Sequence, residues 1–232
     1  MNVLRTSLAK GAAGARGTAV VIDVFRAFTC APLFLHLGVS RLVLEADPGQ
    51  ATALRRAHAD WILAGEVNEV PIEGGDLSNS PSEILRKGRA FFQGRTLVHR
   101  TTAGVTGATA ALGSADEVLL GSFVTARATA RYIAERDPGT VTLVAMGSRA
   151  AEPSPEDEAC ADYLEHLLTG RAYDHLSALK EILFDPAAGK FLRGGRAHLP
   201  PEDPALCLQR DLFDMVLGAE MDNGRVVVRR KV

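Results

Sequence analysis

Short runs of branched apolar residues alternate with helix-like segments through the first two-thirds of the chain, and this alternation limits the fold most. Six runs predict strands, namely Thr18–Val24, Arg41–Glu45, Trp61–Ala64, Arg95–His99, Glu117–Leu120 and Thr140–Met146. They are rich in Val, Ile and Leu, as strands buried on both faces are. The segments between them predict helices at Thr29–Leu37, Pro48–His58, Pro81–Lys87, Thr106–Leu112, Val124–Arg136 and Pro155–Thr169. We therefore expect an α/β fold with a mainly parallel sheet flanked by helices.

Three predicted helices begin with a capping side chain followed by proline. These pairs are Asp47-Pro48, Ser80-Pro81 and Ser154-Pro155. Proline suits the first helical turn, and the preceding Asp or Ser is expected to accept a hydrogen bond from a free backbone N–H. Glu83 lies three residues after Ser80, which is a capping-box pattern.

The last third of the chain has a different pattern. Helices are predicted at Leu176–Phe184 and Asp203–Arg210, and strand-like runs at Phe213–Ala219 and Arg225–Arg230 flank Asp222-Asn223-Gly224. An Asn-Gly pair between two such runs predicts a β-hairpin. We expect residues 1–170 to form the main domain and residues 171–232 to form a smaller C-terminal lobe or a sheet extension.

Charge and composition exclude several classes of protein. The 232 residues include 26 basic and 28 acidic side chains, so no overall basic field favours nucleic acid. Cys30, Cys160 and Cys207 are far apart, which indicates neither a disulfide framework nor a zinc site. The longest uncharged stretches, Ala27–Ser40 and Thr101–Ala115, are too short to span a membrane. No signal peptide is recognisable, so we expect a cytoplasmic protein, with a homodimer left open.

Acidic and small polar residues follow the predicted strands. Since ligands bind at the carboxyl ends of parallel strands, we expect these residues to form a site. The acidic candidates are Asp23, Glu66, Asp76 and the run Glu156-Asp157-Glu158. The small and polar candidates are Asn79-Ser80, Thr101-Thr102-Ala103-Gly104, Gly121-Ser122 and Gly147-Ser148-Arg149.

Each candidate also has a simpler structural interpretation. Asp23 can bind a hard cation while Arg26 grips phosphate, or it can cap the next helix and pair with Arg26. Glu66 can be a solvated loop acid, Asp76 a turn residue, and Glu156–Glu158 a charged helix start. The Thr101–Gly104 segment suits an anion at a helix N-terminus. Neither GxxxxGK[ST] nor GxGxxG nor GxSxG is present, so nucleotide binding and serine hydrolase chemistry lack a motif.

Taken in order, these segments resemble the 2-phosphosulfolactate phosphatase family. The matching segments are Val21-Ile22-Asp23-Val24-Phe25-Arg26-Ala27, Gly65-Glu66, Gly74-Gly75-Asp76-Leu77-Ser78-Asn79-Ser80-Pro81, Thr101-Thr102-Ala103-Gly104-Val105, Gly121-Ser122 and Glu156 to Ala161. The resemblance covers roughly residues 19–168. It implies Mg²⁺-dependent hydrolysis of (R)-2-phospho-3-sulfolactate to 3-sulfolactate and phosphate, a step of coenzyme M synthesis.

Three positions depart from the family pattern. Val67 stands where the family usually has Arg, Ala103 where it has Asn, and Asp162 where it has Gly. A lost Arg predicts weaker preference for the sulfonate, unless Arg26, Arg100 or Arg149 compensates.

In the leading hypothesis, Asp23 binds Mg²⁺ together with Glu66, Asp76 or Glu156. Arg26 and the amides near Thr102–Gly104 would stabilise phosphate oxygens, and Asp157 is the candidate base by its place in the motif. The expected substrate-binding residues are Asn79, Ser80, Thr101, Thr102, Gly104 and Ser122. A rival mechanism makes Asp23 a nucleophile, although Phe25 replaces the second acid of a DxD motif. A phosphometabolite-binding protein without turnover is the alternative from another class.

Overall fold

Ten strands form one sheet in the computed structural model, which describes residues 1–231. The strands are β1 Asn2–Ser7, β2 Thr18–Ile22, β3 Arg41–Leu44, β4 Ile62–Val67, β5 Val70–Pro71, β6 Thr96–Arg100, β7 Glu117–Gly121, β8 Thr140–Ala145, β9 Leu217–Asp222 and β10 Arg225–Arg230. The helices are α1 Leu8–Ala13, α2 Ala27–His36, α3 Pro48–Ala57, α4 Pro81–Lys87, α5 Arg89–Phe92, α6 Gly104–Ala111, α7 Ala126–Arg136, α8 Pro155–Thr169, α9 His175–Phe184, α10 Pro186–Leu192 and α11 Asp203–Cys207. A 3₁₀ turn, Phe123–Thr125, precedes α7.

The predicted α/β class is confirmed, and all six predicted strands and six predicted helices of the first two-thirds are present. Strand β1, helices α1, α5 and α10, and the two-residue β5 were not predicted. Strand β1 carries Arg5 and Thr6 among its apolar residues and lies at the sheet edge, so its sequence lacks the apolar run of a buried strand. Strand β9 begins at Leu217, and the predicted start at Phe213 is therefore wrong.

The sheet contains two parallel groups that run in opposite directions. The strand order is β1-β8-β2-β7-β9-β10-β3-β6-β4-β5. Strands β1, β8, β2 and β7 are mutually parallel, as are β3, β6 and β4, and the antiparallel hairpin β9–β10 reverses the direction between them. The carboxyl ends of the two groups therefore face opposite edges of the sheet, whereas a wholly parallel sheet would place them at one edge.

Sheet twist brings the two sets of strand ends together again. At the usual twist of about 20–25° between adjacent strands, the five steps from β2 to β6 correspond to a rotation of about 100–125°. That rotation offsets most of the reversal caused by the hairpin. In agreement, Asp23 after β2 accepts a hydrogen bond from the backbone N–H of Gly104, which follows β6.

The C-terminal hairpin belongs to the interior of this sheet. Strand β9 pairs with β7 at Val118↔Ala219, and β10 pairs with β3 at Val226↔Leu44. Asn223 and Gly224 both have positive φ, as the predicted two-residue turn requires. The hairpin therefore lies at the centre of the sheet, between β7 and β3.

Apolar side chains cover both faces of the sheet. Along β2, Val21 packs with α2 and α6 on one face, while Val20 and Ile22 pack with α7 and α8 on the other. This alternation follows from the period of two in a strand. No helix within residues 1–231 is both long and apolar enough to cross a membrane.

Two of the three predicted helix caps are confirmed. The side chain of Asp47 accepts from Gln50 N–H, and Ser80 accepts from Glu83 N–H. Glu83 accepts from Ser78 rather than from Ser80, so the capping box is incomplete. Ser154 makes no capping hydrogen bond, and that prediction is wrong.

Candidate active site

A cavity of about 330 Å³ opens where the loops after β2, β4 and β8 meet the starts of α8 and α10. Its walls are charged. The acidic side chains that line it are Asp23, Glu66, Glu69, Glu152, Glu156 and Asp185. The basic ones are Arg26, Arg149 and Lys190. The uncharged polar ones are Asn79, Thr102, Ser148 and Ser154. Charged groups of both signs around one opening suit an anionic ligand and a cation.

Asp23 is buried at the end of β2 and joins two helix starts. Its Oδ1 accepts from Ala27 N–H at 3.1 Å, and its Oδ2 accepts from Gly104 N–H at 2.7 Å. Burial and the negative charge of Glu66 raise the pKa of Asp23 to about 6, against the lowering effect of the two backbone hydrogen bonds. Asp23 therefore both caps a helix and lines the cavity, so the two interpretations of this residue are compatible.

Glu66 is held in place by the Thr102 loop. Its Oε1 accepts from Thr102 N–H, and its Oε2 accepts from Thr102 Oγ1 at 3.0 Å and from Glu69 N–H at 2.6 Å. Arg100 donates to the Glu66 carbonyl and to Thr102 Oγ1. Because three donors occupy its carboxylate, Glu66 chiefly fixes the wall formed by Thr102.

Glu156 has the least occupied carboxylate of the buried acids in the cavity. It lies in the first turn of α8 and is 5% exposed. Its Oε2 and the nearby Ser154 Oγ have no hydrogen-bond partner in residues 1–231. Burial and the charge of Asp23 raise the pKa of Glu156 to about 7, against the lowering effects of its backbone N–H, the nearby Ser154 hydroxyl and the charge of Lys190. An unpartnered buried carboxylate oxygen is costly unless it serves a ligand.

Asp157 points away from the cavity and bridges two loops. Its Oδ1 accepts from Val24 N–H at 2.7 Å, and its Oδ2 accepts from Gly147 N–H at 2.8 Å. Burial raises the pKa of Asp157 well above its usual value, and the charges of Glu156 and Asp23 act in the same direction. With both oxygens on backbone donors, Asp157 is placed to position the loops on either side of the site.

Arg26 is buried and held by a residue from the C-terminal segment. Its Nη1 donates to Asp203 Oδ2 at 2.7 Å and to the His198 carbonyl at 2.9 Å. Asp203 also accepts from Ser80 Oγ at 3.0 Å and from Ser82 N–H at 3.0 Å. The guanidinium lies over the Phe191 ring at 5.2 Å. The structure thus pairs Arg26 with Asp203 and not with Asp23.

Asn79 lines the cavity and is oriented by a buried histidine. His99 Nε2 lies 3.0 Å from Asn79 Oδ1. Burial lowers the pKa of His99 to about 3, so the ring is neutral and donates through Nε2. The amide nitrogen of Asn79 is left as a donor at the cavity wall.

Several predicted site residues do not line the cavity. Thr101 Oγ1 accepts from Val105 N–H, and Ser122 Oγ donates to the Phe28 carbonyl, so both hydroxyls support loops. Ser80 caps α4 and holds Asp203, and Gly104 supports Asp23 through its N–H.

Asp76 lies outside the cavity and pairs with Arg55 on α3. The two side chains make hydrogen bonds of 2.9 and 3.2 Å, and Leu63 N–H donates to Asp76 at 2.9 Å. Although partial burial raises it, these hydrogen bonds hold the pKa of Asp76 below its usual value. Asp76 therefore stabilises the loop, and the geometry gives it no place beside Asp23.

The sequence did not point to four charged cavity residues, Glu69, Glu152, Asp185 and Lys190, or to the supporting role of Asp203. Lys190 in α10 donates to Glu69 Oε1 at 2.8 Å, and Asp185 caps the same helix. Asp185-Pro186 is the same signal as Asp47-Pro48, so it could have located α10. Asp203-Pro204 carries the same signal and begins the predicted helix Asp203–Arg210, but nothing in the sequence links Asp203 to its partner Arg26, 177 positions away.

The departures from the family pattern occupy different places. Val67 packs with the apolar cluster of Leu63 and Val98 and does not line the cavity. Ala103 does line it. Asp162 is exposed on α8 and pairs with Arg5. The premise that residue 67 contacts substrate therefore finds no support in the geometry.

The carboxylates of the cavity suit a hard divalent cation that is bound by few protein ligands. No group of three or more His, Cys, Asp or Glu side chains in residues 1–231 is arranged to hold a metal ion. Mg²⁺, however, commonly takes one or two carboxylates and completes its shell with water and substrate oxygens. Asp23 and Glu156 are carboxylates in one cavity, and Glu156 Oε2 has no protein partner.

Comparison with known proteins gives a consistent result. Residues 4–221 match the family model described as 2-phosphosulpholactate phosphatase. A probable 2-phosphosulfolactate phosphatase of Bacillus subtilis is 28% identical over 92% of this chain and 91% of its own length. Proteins of the same name from Caldanaerobacter subterraneus and Caldicellulosiruptor saccharolyticus are 32% and 35% identical, covering 89% and 85% of this chain and 88% and 87% of their own lengths.

The fold and these relatives define an enzyme of the phosphoric monoester hydrolase class. The chain belongs to the 2-phosphosulpholactate phosphatase family. The family suggested by the sequence motifs is thus confirmed, and the enzymatic hypothesis is favoured over the binding-protein alternative.

Proposed function

We propose that the cavity hydrolyses the phosphate ester of 2-phosphosulfolactate or a closely related 2-phospho acid. The observation that carries the proposal is the meeting of Asp23 and Glu156 with Arg26 and Lys190 around one 330 Å³ cavity. Phosphate monoesters carry about two negative charges near neutral pH, so a site for them needs cations. Family membership supports the same reaction.

Arg26 is the proposed phosphate ligand. Asp203 and the His198 carbonyl occupy only its Nη1, and its other guanidinium nitrogens make no hydrogen bond with residues 1–231. Arginine binds phosphate oxygens with paired donors, and a guanidinium fixed in advance favours the charge that develops in the transition state. Lys190 and Asn79 line the same cavity.

Asp23 and Glu156 are the proposed ligands of Mg²⁺. Such an ion would neutralise phosphate charge and lower the pKa of a bound water. In the overall reaction, a water oxygen bonds to phosphorus, the ester P–O bond breaks, and the leaving alkoxide is protonated. Asp157 is assigned a positioning role between the Val24 and Gly147 loops in place of the base role.

The test is release of inorganic phosphate from 2-phosphosulfolactate with Mg²⁺ and after exhaustive EDTA treatment. We expect turnover that depends on the metal and is lost in Asp23→Asn. Asp76→Asn is the matched control, because Asp76 lies outside the cavity and should keep turnover. Undiminished turnover in EDTA would contradict the metal assignment, and no turnover of any 2-phospho acid would contradict the proposed function.

A further inference from the structure

The turn after β8 presents an arginine to the cavity in a conformation that favours glycine. Arg149 and Ala150 have φ of 53° and 59°, in the left-handed region that side chains with a Cβ rarely adopt. Such conformations persist where the surroundings determine the backbone and are concentrated at functional sites.

The turn is anchored on three sides. Gly147 N–H donates to Asp157, Ser148 N–H donates to the Glu152 carbonyl at 2.7 Å, and Ala9 N–H donates to the Ala150 carbonyl at 3.2 Å. These bonds fix the backbone on both sides of Arg149. The side chain of Arg149 therefore starts from a fixed point on the cavity wall.

Arg149 is the cavity cation without a protein partner. Arg26 pairs with Asp203, and Lys190 pairs with Glu69. Within residues 1–231, Arg149 is exposed, and its guanidinium makes neither an ion pair nor a hydrogen bond. Its charge is therefore available to a ligand in the cavity.

We propose that Arg149 binds the second acidic group of the substrate, the sulfonate or carboxylate that accompanies the phosphate. The inference rests on the proposed function and narrows its substrate class to phosphate monoesters with a further fixed anion. A planar guanidinium matches carboxylate or sulfonate oxygens with paired donors. Arg149 would supply the contact that Val67, packed in an apolar cluster, does not.

The test compares 2-phosphosulfolactate with p-nitrophenyl phosphate, which lacks a second acid, in the parent, Arg149→Gln, Arg149→Lys and Arg149→Gly. For 2-phosphosulfolactate, we expect kcat/KM to fall about 10- to 200-fold in Arg149→Gln, mainly through KM, because one charge-assisted hydrogen bond is lost. Turnover of p-nitrophenyl phosphate should be nearly unchanged. Arg149→Lys should recover part of the loss.

Arg149→Gly separates recognition from folding. Glycine relieves the backbone conformation, so its Tm should equal or exceed that of the parent while the KM defect matches Arg149→Gln. Arg56→Gln, an exposed arginine on α3 outside the cavity, is the matched control and should behave like the parent. Equal losses on both substrates, or no loss on either, would overturn the assignment of Arg149. A parent that hydrolyses no 2-phospho acid would instead overturn the proposed function, and this inference with it.

Discussion

At the scale of single residues, the site is a set of buried carboxylates held by backbone N–H groups. Asp23 and Asp157 each accept two such bonds, and Glu156 retains an unpartnered oxygen. Motifs in the sequence located all three residues. The bonding pattern that separates Asp157, which positions loops, from Glu156, which faces the cavity, depends on packing and could not be predicted from residue types.

The raised pKa values predict how stability depends on pH and metal. The pKa of Asp23 is about 6 and that of Glu156 is about 7, both above their ordinary values, so the folded protein binds protons that the unfolded chain releases. The stability that these two carboxyls contribute is therefore greatest below about pH 4 and is lost as the pH rises through 6 to 7. We expect the Tm in EDTA to be lower at pH 8 than at pH 5.

Mg²⁺ should reverse that loss, because it binds ionised carboxylates. The measurement is thermal unfolding with EDTA or Mg²⁺ at both pH values. We expect Mg²⁺ to raise the Tm at pH 8 much more than at pH 5, and Glu156→Gln to abolish the gain. An equal Mg²⁺ effect in Glu156→Gln and the parent would contradict the ligand assignment.

The positioning role of Asp157 predicts a loss of stability. Asparagine offers one acceptor oxygen in place of two, so Asp157→Asn leaves a buried N–H of Val24 or Gly147 unpaired. We expect a cost of about 1–3 kcal/mol in the free energy of unfolding, measured by denaturant titration. Asp162→Asn on the same helix loses only a partly exposed ion pair and should cost less than about 1 kcal/mol. Lost turnover with unchanged stability in Asp157→Asn would favour the base role instead.

At the scale of elements, the site depends on the junction between β2 and the start of α6. Gly104 N–H reaches Asp23 because no side chain separates the two segments. The sequence predicted the strand, the helix and the small residues between them. It did not predict α10, because seven residues around Gly189 carry little helical periodicity, although Asp185-Pro186 marks the start.

A methyl group at residue 104 should disrupt this junction. A Cβ there would lie 2.6 Å from Asp23 Oδ2 and 2.9 Å from Ala27 Cβ. We expect Gly104→Ala to displace α6, weaken the hydrogen bond to Asp23 and reduce kcat by at least about tenfold, since misplacement of a site residue is costly. Gly113→Ala follows the same helix and meets only Ala110 O at 3.5 Å, so its kcat should match the parent. Equal kcat in the two variants would show that the junction tolerates a side chain.

At the scale of the whole molecule, the C-terminal hairpin joins two parallel half-sheets. Both strands and their turn were evident in the sequence, because Asn223-Gly224 lies between apolar runs. Their insertion between β7 and β3 was not, since strand order depends on contacts between segments that are about 100 residues apart or more. The same C-terminal segment supplies Asp203 and Lys190, so the site is completed only by the last third of the chain.

Valines at the centre and edge of the sheet should differ in their contribution to stability. Val227 in β10 is fully buried, whereas Val70 in β5 is 58% exposed. We expect Val227→Ala to lower the free energy of unfolding by about 2–3 kcal/mol, and Val70→Ala to lower it by less than about 0.5 kcal/mol. Chemical denaturation of both variants tests this, and similar losses would contradict the central position of the hairpin.

We infer that phosphate-ester hydrolysis occurs in the cavity beside Asp23. The most direct measurement is kcat for phosphate release from 2-phosphosulfolactate, compared between the parent and Asp23→Asn at equal concentrations of folded protein. We expect the parent to hydrolyse the ester and Asp23→Asn to have a kcat at least about 10²-fold lower, because a group that stabilises transition-state charge is removed. A folded Asp23→Asn variant with near-parent kcat would contradict this inference.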